Sequence, residues 1–147
     1  MEVYQDYKEL FASLNSQNVN YVIVGAYAMA FHGHPRFTGD IDILIQPKAD
    51  NAGRVIRALE DFGFSFPDLT ADDFKTCDNV IQLGVPPVRV DLLTSITGVE
   101  WNQVDEHKVP GTYGDTPVWF ISRGDLIQNK KASGRRKDLA DLEALGE

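Results

Sequence analysis

Two stretches of the sequence decide the fold, Tyr21-Val22-Ile23-Val24-Gly25-Ala26-Tyr27-Ala28 and Arg36-Phe37-Thr38-Gly39-Asp40-Ile41-Asp42-Ile43-Leu44-Ile45. The first predicts a strand, a glycine turn and a short helix, because β-branched residues favour strands and glycine tolerates unusual backbone angles. The second predicts a strand whose side chains alternate between the two faces of a sheet. Asp40 and Asp42 would then share one face, opposite the isoleucines of the same strand.

The folding of this strand does not account for its paired carboxylates. Two like charges about 7 Å apart raise each other's pKa unless a cation lies between them. A bound metal ion is therefore the favoured interpretation of Asp40 and Asp42.

Length and composition indicate the broad class of protein. A chain of 147 residues with 43% hydrophobic residues predicts one domain over residues 1–147, since such a chain buries roughly 68–70% of its unfolded surface. No apolar run approaches the roughly 20 residues that span a bilayer, and the N-terminus from Met1 to Asp6 lacks the pattern of a secretory signal. Cys77 has no second cysteine to pair with, which favours a reducing cytoplasm. We therefore expect a cytoplasmic protein that does not bind a membrane.

Charge is unevenly distributed along the chain. The net charge of −8 argues against sequence-blind binding of nucleic acid. Residues 123–137 nevertheless carry six basic side chains against Asp125, a local charge of +5 that leaves −13 for the remainder. This segment is either a solvated face or a patch for a polyanion such as a nucleoside triphosphate or an RNA end.

The spacing of apolar residues predicts the remaining elements. Helices are expected over residues 3–15, 26–32 and 49–61, weakly over 97–106, for about ten residues after an N-cap at Ser122, and over 137–145 with Leu139, Leu142 and Leu145 on one side. Strands are expected over residues 21–24, 41–45, 79–84, 88–93 and 118–121, with a minor strand at 64–66. The tight link Val85-Pro86-Pro87 predicts an antiparallel pair. The predicted fold class is α+β, a mixed, partly antiparallel sheet with helices packed on it.

Three of these elements could converge on one site. Gly25-Ala26 opens a helix, where free backbone N–H groups and the helix dipole favour a phosphate. Asp40 and Asp42 follow on the next strand, and Asp91 lies in a later strand on the face opposite its apolar side chains. Three carboxylates offer only oxygen ligands, which suit Mg²⁺ or Mn²⁺ and not zinc.

In this order the motifs resemble the nucleotidyltransferase superfamily related to DNA polymerase β. The resemblance rests on Gly25-Ala26, thirteen further residues, Asp40-Ile41-Asp42 and then Asp91. The closer likeness is to its small bacterial branch, which includes abortive-infection type toxins and lincosamide-type antibiotic adenylyltransferases. Residues 131–142 resemble the toxin-like group in particular. The family usually has Gly-Ser or Gly-Gly where this chain has Gly25-Ala26, so a serine hydroxyl that would contact a phosphate is absent.

The resemblance implies metal-dependent transfer of a nucleoside monophosphate from a nucleoside triphosphate such as ATP to an acceptor hydroxyl. Asp40, Asp42 and Asp91 would carry catalysis and hold Mg²⁺ or Mn²⁺. The candidates for nucleotide binding are Gly25, Ala26, Arg36, Thr38, Lys131 and Lys137, and Thr38 could also orient a carboxylate. The acceptor would be an RNA, a protein or a small molecule, and a toxin-like role would add a cognate antitoxin as partner.

Three alternatives are compatible with the same residues. Ala26 fits a catalytically inactive nucleotidyltransferase-like module that binds or regulates a partner. An acidic remainder fits an antibiotic adenylyltransferase that acts on a cationic drug. The pair Asp40 and Asp42 also fits a glycosyltransferase that holds Mn²⁺ and a nucleotide sugar, although 147 residues is short for that class.

Overall fold

A computed structural model describes residues 3–85 and 87–147, so the predictions that include Met1, Glu2 and Pro86 lie in part outside the described residues. The helices are α1 (Gln5–Ser16), α2 (Gly25–Phe31), α3 (Ala49–Phe62), α4 (Trp101–His107), α5 (Arg123–Ser133) and α6 (Arg136–Ala144), with a 3₁₀ turn at Ala71–Asp73. The strands are β1 (Tyr21–Val24), β2 (Asp40–Ile45), β3 (Val80–Leu83), β4 (Arg89–Leu93), β5 (Val109–Tyr113) and β6 (Thr116–Phe120).

The six strands of the described residues form one mixed sheet in the order β3-β4-β2-β1-β6-β5. Strand β2 is antiparallel to β1 and parallel to β4, and β1 is parallel to β6. The outer pairs, β3 with β4 and β5 with β6, are antiparallel. The predicted α+β fold class is confirmed, and so is the antiparallel pairing of the two strands joined by residues 84–88.

The core is built around the two central strands. All four residues of β1 are buried, as expected of an apolar strand with neighbours on both sides. Strand β2 begins with alternation, since Ile41 and Ile43 are fully buried while Asp40 and Asp42 remain partly exposed on the other face. Helix α1 packs against α3 and β6. None of the helices in the described ranges has the length and apolar character that crossing a bilayer requires.

Strand β5 has no counterpart among the predicted elements. Pro110 and Gly111 interrupt the apolar pattern that marks a strand. The strand forms because it pairs with β6 across the two-residue turn Gly114-Asp115, between the partners Tyr113 and Thr116. Such turns favour glycine where φ is positive, and Gly114 has a φ of 61°. An edge strand tolerates the missing N–H group of a proline, and β5 lies at the edge of the sheet.

The prediction of a minor strand at residues 64–66 is wrong. The backbone N–H of Phe64 donates to the carbonyl oxygen of Leu59 at 2.8 Å, which closes the end of α3. The rings of Phe64 and Phe66 then stack on each other, with centroids 5.8 Å apart. The aromatic residues therefore pack beside α3, and do not alternate across a sheet.

Helix α6 buries a different face from the one that its leucines mark. Asp138, Asp141 and Leu142 are buried, whereas Leu139 is 56% exposed. The prediction that Leu139, Leu142 and Leu145 share one side is therefore wrong for Leu139, whereas Leu142 and Leu145 are both buried. The physical reason is that α6 turns Asp138 and Asp141 toward Lys130 of α5.

The turn between α5 and α6 offers a test of how the second helix is held. Gly134 ends α5 with a left-handed φ of 64°, and a side chain in this conformation costs about 1–2 kcal/mol. Gly134→Ala is therefore expected to lower the free energy of unfolding in urea by about that amount. Gly53→Ala is the matched control, because Gly53 lies inside α3 and an added Cβ would meet no atom within 4 Å. It is expected to raise the free energy of unfolding by about 0.5–1 kcal/mol; shifts of the same sign in both variants would contradict this account.

Candidate functional site

Three carboxylates meet where β2 lies between its two neighbours. The register pairs Asp42 with Val24 of β1 on one side and with Asp91 of β4 on the other. Asp40 lies two residues before Asp42 and therefore on the same face. One oxygen of each of the three side chains lies within 4.8 Å of the other two. The structure thus brings together the three acids that the sequence indicated, with Asp91 the most buried at 7% exposure.

Gly25 brings the backbone between β1 and α2 directly against Asp42. Its φ is +68°, and a Cβ atom at this position would lie 2.3 Å from Asp42 Oδ2. Any side chain at position 25 would therefore have to displace the carboxylate. Glycine at this turn therefore leaves the space that the Asp42 carboxylate occupies.

Thr38 contacts Asp40. The hydroxyl oxygen of Thr38 lies 3.0 Å from both the carbonyl oxygen and the Oδ1 atom of Asp40, and it accepts the Asp40 N–H at 3.3 Å. One hydroxyl hydrogen serves only one of the two oxygens at a time. Thr38 therefore contacts both the backbone and the carboxylate of Asp40 at the start of β2.

Arg89 is the cation closest to the acids. It is opposite Asp40 in the register of β2 and β4, and it precedes Asp91 by two residues. Its Nη2 atom donates to Asp40 Oδ2, while its Nε atom lies 3.3 Å from Asp91 Oδ1. The hydrogen bond to Asp40 and the charge of Asp91 raise the pKa of Arg89. Asp91 Oδ1 is buried and has no hydrogen-bond partner among the described residues.

The environment of the acids disfavours their charged forms. Burial, followed by the charges of Asp40 and Asp91, raises the pKa of Asp42 to about 7, against the opposing charge of Lys137. Burial also raises the pKa of Asp91, against the opposing charge of Arg89. The cluster would therefore gain stability from a further cation or a proton.

The donor set fits a hard divalent cation. Asp40, Asp42 and Asp91 offer carboxylate oxygens, which Mg²⁺ and Mn²⁺ prefer. The partnerless Oδ1 atom of Asp91 is a buried acceptor on the same cluster. A cation bound there would satisfy this atom and offset the repulsion between the acids.

A cleft of about 460 Å³ opens beside the carboxylates, and a second of about 420 Å³ adjoins it. Five of the residues predicted to bind nucleotide line these clefts, namely Gly25, Ala26, Arg36, Thr38 and Lys137. The sixth, Lys131, lines neither cleft. It is exposed and pairs with Glu147 at 3.4 Å, and the adjacent Lys130 lines the second cleft in its place. Two successive helical residues point about 100° apart, so only one of the two lysines faces inward.

Buried ion pairs neutralise much of the basic charge in this region. Lys130 is 4% exposed, and its Nζ atom lies 2.7 Å from Asp141 Oδ2 and 3.6 Å from Asp138 Oδ1. Asp141 also pairs with Arg36 at 3.1 Å, and Asp138 with Arg135 at 2.8 Å. Within the basic segment 123–137, Lys130 and Arg135 are therefore neutralised by acids of α6, whereas Lys137 lines the cleft without an ion pair among the described residues.

Sequence reasoning did not identify Asp138 and Asp141 as partners of the cleft cations. Their spacing of three residues, directly after a basic run, was the available signal, because residues i and i+3 share one side of a helix. The leucines of α6 masked it by marking a competing apolar side.

The contact between Gly25 and Asp42 can be tested by a pair of alanine variants. Gly25→Ala is expected to lower the free energy of unfolding by about 1–2 kcal/mol for the positive φ and by about 1–3 kcal/mol more for displacing Asp42. Gly33→Ala is the matched control, because Gly33 has a φ of +96° but an added Cβ would meet no atom within 4 Å. Urea unfolding measures both variants. An equal loss of unfolding free energy in both variants would show that a side chain at position 25 does not disturb Asp42.

The raised pKa of Asp42 predicts a pH-dependent stability. Aspartate in an unfolded chain has a pKa of about 3.9, whereas that of Asp42 in the folded protein is about 7. The folded state therefore binds more protons between these values, and the stability due to Asp42 is lost as the pH rises through about 7. Urea unfolding with a chelator is expected to show a loss of stability as the pH rises from about 4 to about 7, and Asp42→Asn is expected to reduce this loss. An identical pH dependence in both proteins would contradict this assignment.

Comparisons with known proteins agree on one superfamily. The chain matches the sequence model of the aminoglycoside-2''-adenylyltransferase family over residues 6–131. A solved structure from Thermotoga maritima, provisionally named a nucleotidyltransferase, has a TM-score of 0.63 at 18% identity and covers 98% of this chain and 94% of its own. An antigenic nucleotidyltransferase-like protein from Paracoccidioides brasiliensis has a TM-score of 0.54 at 21% identity, covering 96% of this chain and 74% of its own. No curated protein matches the chain.

The two solved structures share the fold of this protein, and the family match spans most of its length. This chain therefore belongs to the aminoglycoside-2''-adenylyltransferase family, within the nucleotidyltransferase superfamily.

Proposed function

We propose that this protein transfers a nucleoside monophosphate from a nucleoside triphosphate to an acceptor hydroxyl and releases pyrophosphate. The observation that carries the proposal is the meeting of Asp40, Asp42 and Asp91 beside a cleft in a member of this family. Mg²⁺ or Mn²⁺ is the proposed cofactor, because these side chains offer only oxygen ligands. Bound by them, the cation would neutralise the charge of the triphosphate and activate the reacting oxygen.

Side chains of the cleft are suited to hold the triphosphate. Arg36 and Lys137 line both parts of the cleft, together with Asp42. Lys137 forms no ion pair with any described residue, and its charge acts on Asp42 across the cleft. Positive charge at this place would stabilise the negative charge that develops on the leaving pyrophosphate.

Asp91 is suited to accept the proton of the attacking hydroxyl. Burial raises its pKa, and its Oδ1 atom has no hydrogen-bond partner among residues 3–85 and 87–147. Loss of this proton lets the acceptor oxygen bond to the α-phosphorus as the bond to pyrophosphate breaks. Thr38 contributes by holding Asp40, since positioning supplies most of the catalysis in phosphoryl transfer.

The proposed donor is ATP and the first proposed acceptor is a cationic small molecule. The name of the family refers to transfer of an adenylyl group to an aminoglycoside. A net charge of −8 favours the approach of a cationic acceptor. A toxin-like enzyme that modifies RNA or protein, and that a cognate antitoxin controls, is the second candidate because residues 131–142 resemble that group.

Transfer of label tests the activity and its acceptor together. Incubation with ATP labelled at the α-phosphate and Mg²⁺ is expected to label aminoglycosides in the first case, and RNA or protein in the second. Asp42→Asn and Asp91→Asn are each expected to lower the rate by about 10²-fold or more, because both groups act at the reacting phosphate. Asp50→Asn is the control, since this carboxylate is 57% exposed and pairs with Arg54 on α3.

A measurement of ATP binding beside the transfer of label separates binding from catalysis. ATP binding without label in any acceptor pool would favour an inactive nucleotidyltransferase-like module, to which Ala26 in the cleft also points. No ATP binding by the folded protein would refute the proposed activity.

A further inference from the structure

Arg89 makes a bridge between two of the three acids. Its guanidinium group donates to Asp40 Oδ2, and its Nη2 atom also lies 3.3 Å from Asp91 Oδ2. Its Nε atom lies 3.3 Å from the other oxygen of Asp91. One arginine therefore contacts two of the carboxylates that the proposed function assigns to a divalent cation.

The contacts between Arg89 and the two acids leave buried polar atoms without a hydrogen bond. The buried atoms Nε of Arg89 and Oδ1 of Asp91 both lack a hydrogen-bond partner in the described part of the chain, although they lie 3.3 Å apart. The strongest arginine–carboxylate pairs use two parallel hydrogen bonds to one carboxylate. Arg89 divides its donors between Asp40 and Asp91 instead, and Oδ1 of Asp91 is left without a hydrogen bond among the described residues.

The backbone of Arg89 is fixed while its side chain reaches solvent. The carbonyl oxygen of Arg89 accepts a hydrogen bond from the Tyr7 hydroxyl at 2.8 Å, and its strand position is set by the pairing with Asp40. The side chain remains 33% exposed. Part of the Arg89 side chain therefore borders solvent, while its backbone is held in β4.

We propose that Arg89 is an internal counter-ion, which holds Asp40 and Asp91 together when no divalent cation is bound and competes with that cation for the same carboxylates. The inference rests on the proposed function in one respect, the assignment of a cation to this cluster. Its physical basis is that two positive groups that share the same oxygens repel each other strongly at short distance. Arg89 is in this sense a positioning residue, because it acts through the carboxylates.

Removal of this charge is expected to strengthen cation binding. Arg89→Gln, titrated with Mn²⁺ by calorimetry after chelator treatment of the full chain, is expected to bind about tenfold more tightly than wild type or better. Arg54→Gln is the matched control, since Arg54 is a partly buried arginine that pairs with Asp50 on α3. It is expected to leave Mn²⁺ affinity unchanged.

Thermal unfolding gives a second readout that does not depend on activity. Without Mn²⁺, Arg89→Gln is expected to melt at a lower temperature than wild type, because the acids lose their counter-ion. Saturating Mn²⁺ is expected to raise the melting temperature of the variant more than that of wild type, since tighter binding stabilises the folded state more.

The outcomes separate this inference from the proposed function. Equal or weaker Mn²⁺ binding by Arg89→Gln would overturn the role of Arg89, while Mn²⁺ binding by wild type would leave the proposed function standing. Absence of Mn²⁺ binding in both proteins would overturn both. If Arg89→Gln does not fold, Arg89→Met is the test, because it also removes the charge while it keeps an unbranched apolar stem. Its affinity for Mn²⁺ is expected to exceed that of wild type, and an unchanged or lower affinity would count against the counter-ion role.

Discussion

The register of β2 is the constraint on which the site depends. Side chains alternate along a strand, so a slip of one residue would move both of its acids into the apolar core and its isoleucines out of it. Pairing on two sides excludes that slip, because Asp42 is locked opposite Val24 of β1 and Asp91 of β4. The buried isoleucines therefore position the carboxylates, although they touch no ligand.

The cost of this arrangement is electrostatic. The fold places three acids close together and partly removes them from water, which disfavours their charges. Two groups can partly offset this repulsion, namely a proton on Asp42, whose pKa burial raises to about 7, and the guanidinium group of Arg89, which donates to Asp40. A divalent cation would be a third, and it would replace the proton. Under the proposed function, the balance of charge in the site would therefore depend on whether the cation is bound.

The sequence was sufficient wherever a short-range pattern determines the structure. Alternation in β2 and the glycine after β1 predicted how the acids would face and where the chain would turn. Patterns failed where long-range pairing overrides local preference. Strand β5 contains Pro110 and Gly111 and exists because β6 lies beside it.

The charges around the cleft were the least predictable part of the site. A run of basic residues says nothing about which of them will be neutralised. That depends on α6, whose packing against α5 buries Asp138 and Asp141 beside Lys130. Lys131, one position further, falls outside the cleft because the helix rotates it away. Only the three-dimensional arrangement separates these two lysines.

The carboxylates of α6 lie outside the part of the chain that matches the family, which bears on how such proteins diverge. The match to the family ends at residue 131, whereas the carboxylates that neutralise Arg36 and Lys130 lie at positions 138 and 141. The acid cluster and the counter-charges of the cleft thus belong to separate segments of the polypeptide. Exchange of the nine-residue helix α6 would change the electrostatic potential met by an incoming ligand, because α6 carries Asp138, Asp141 and Lys137, whereas the three acids of the cluster lie on β2 and β4. Changes in α6 would thus alter ligand preference without changing the sequence of β2 or β4, which carry the acids.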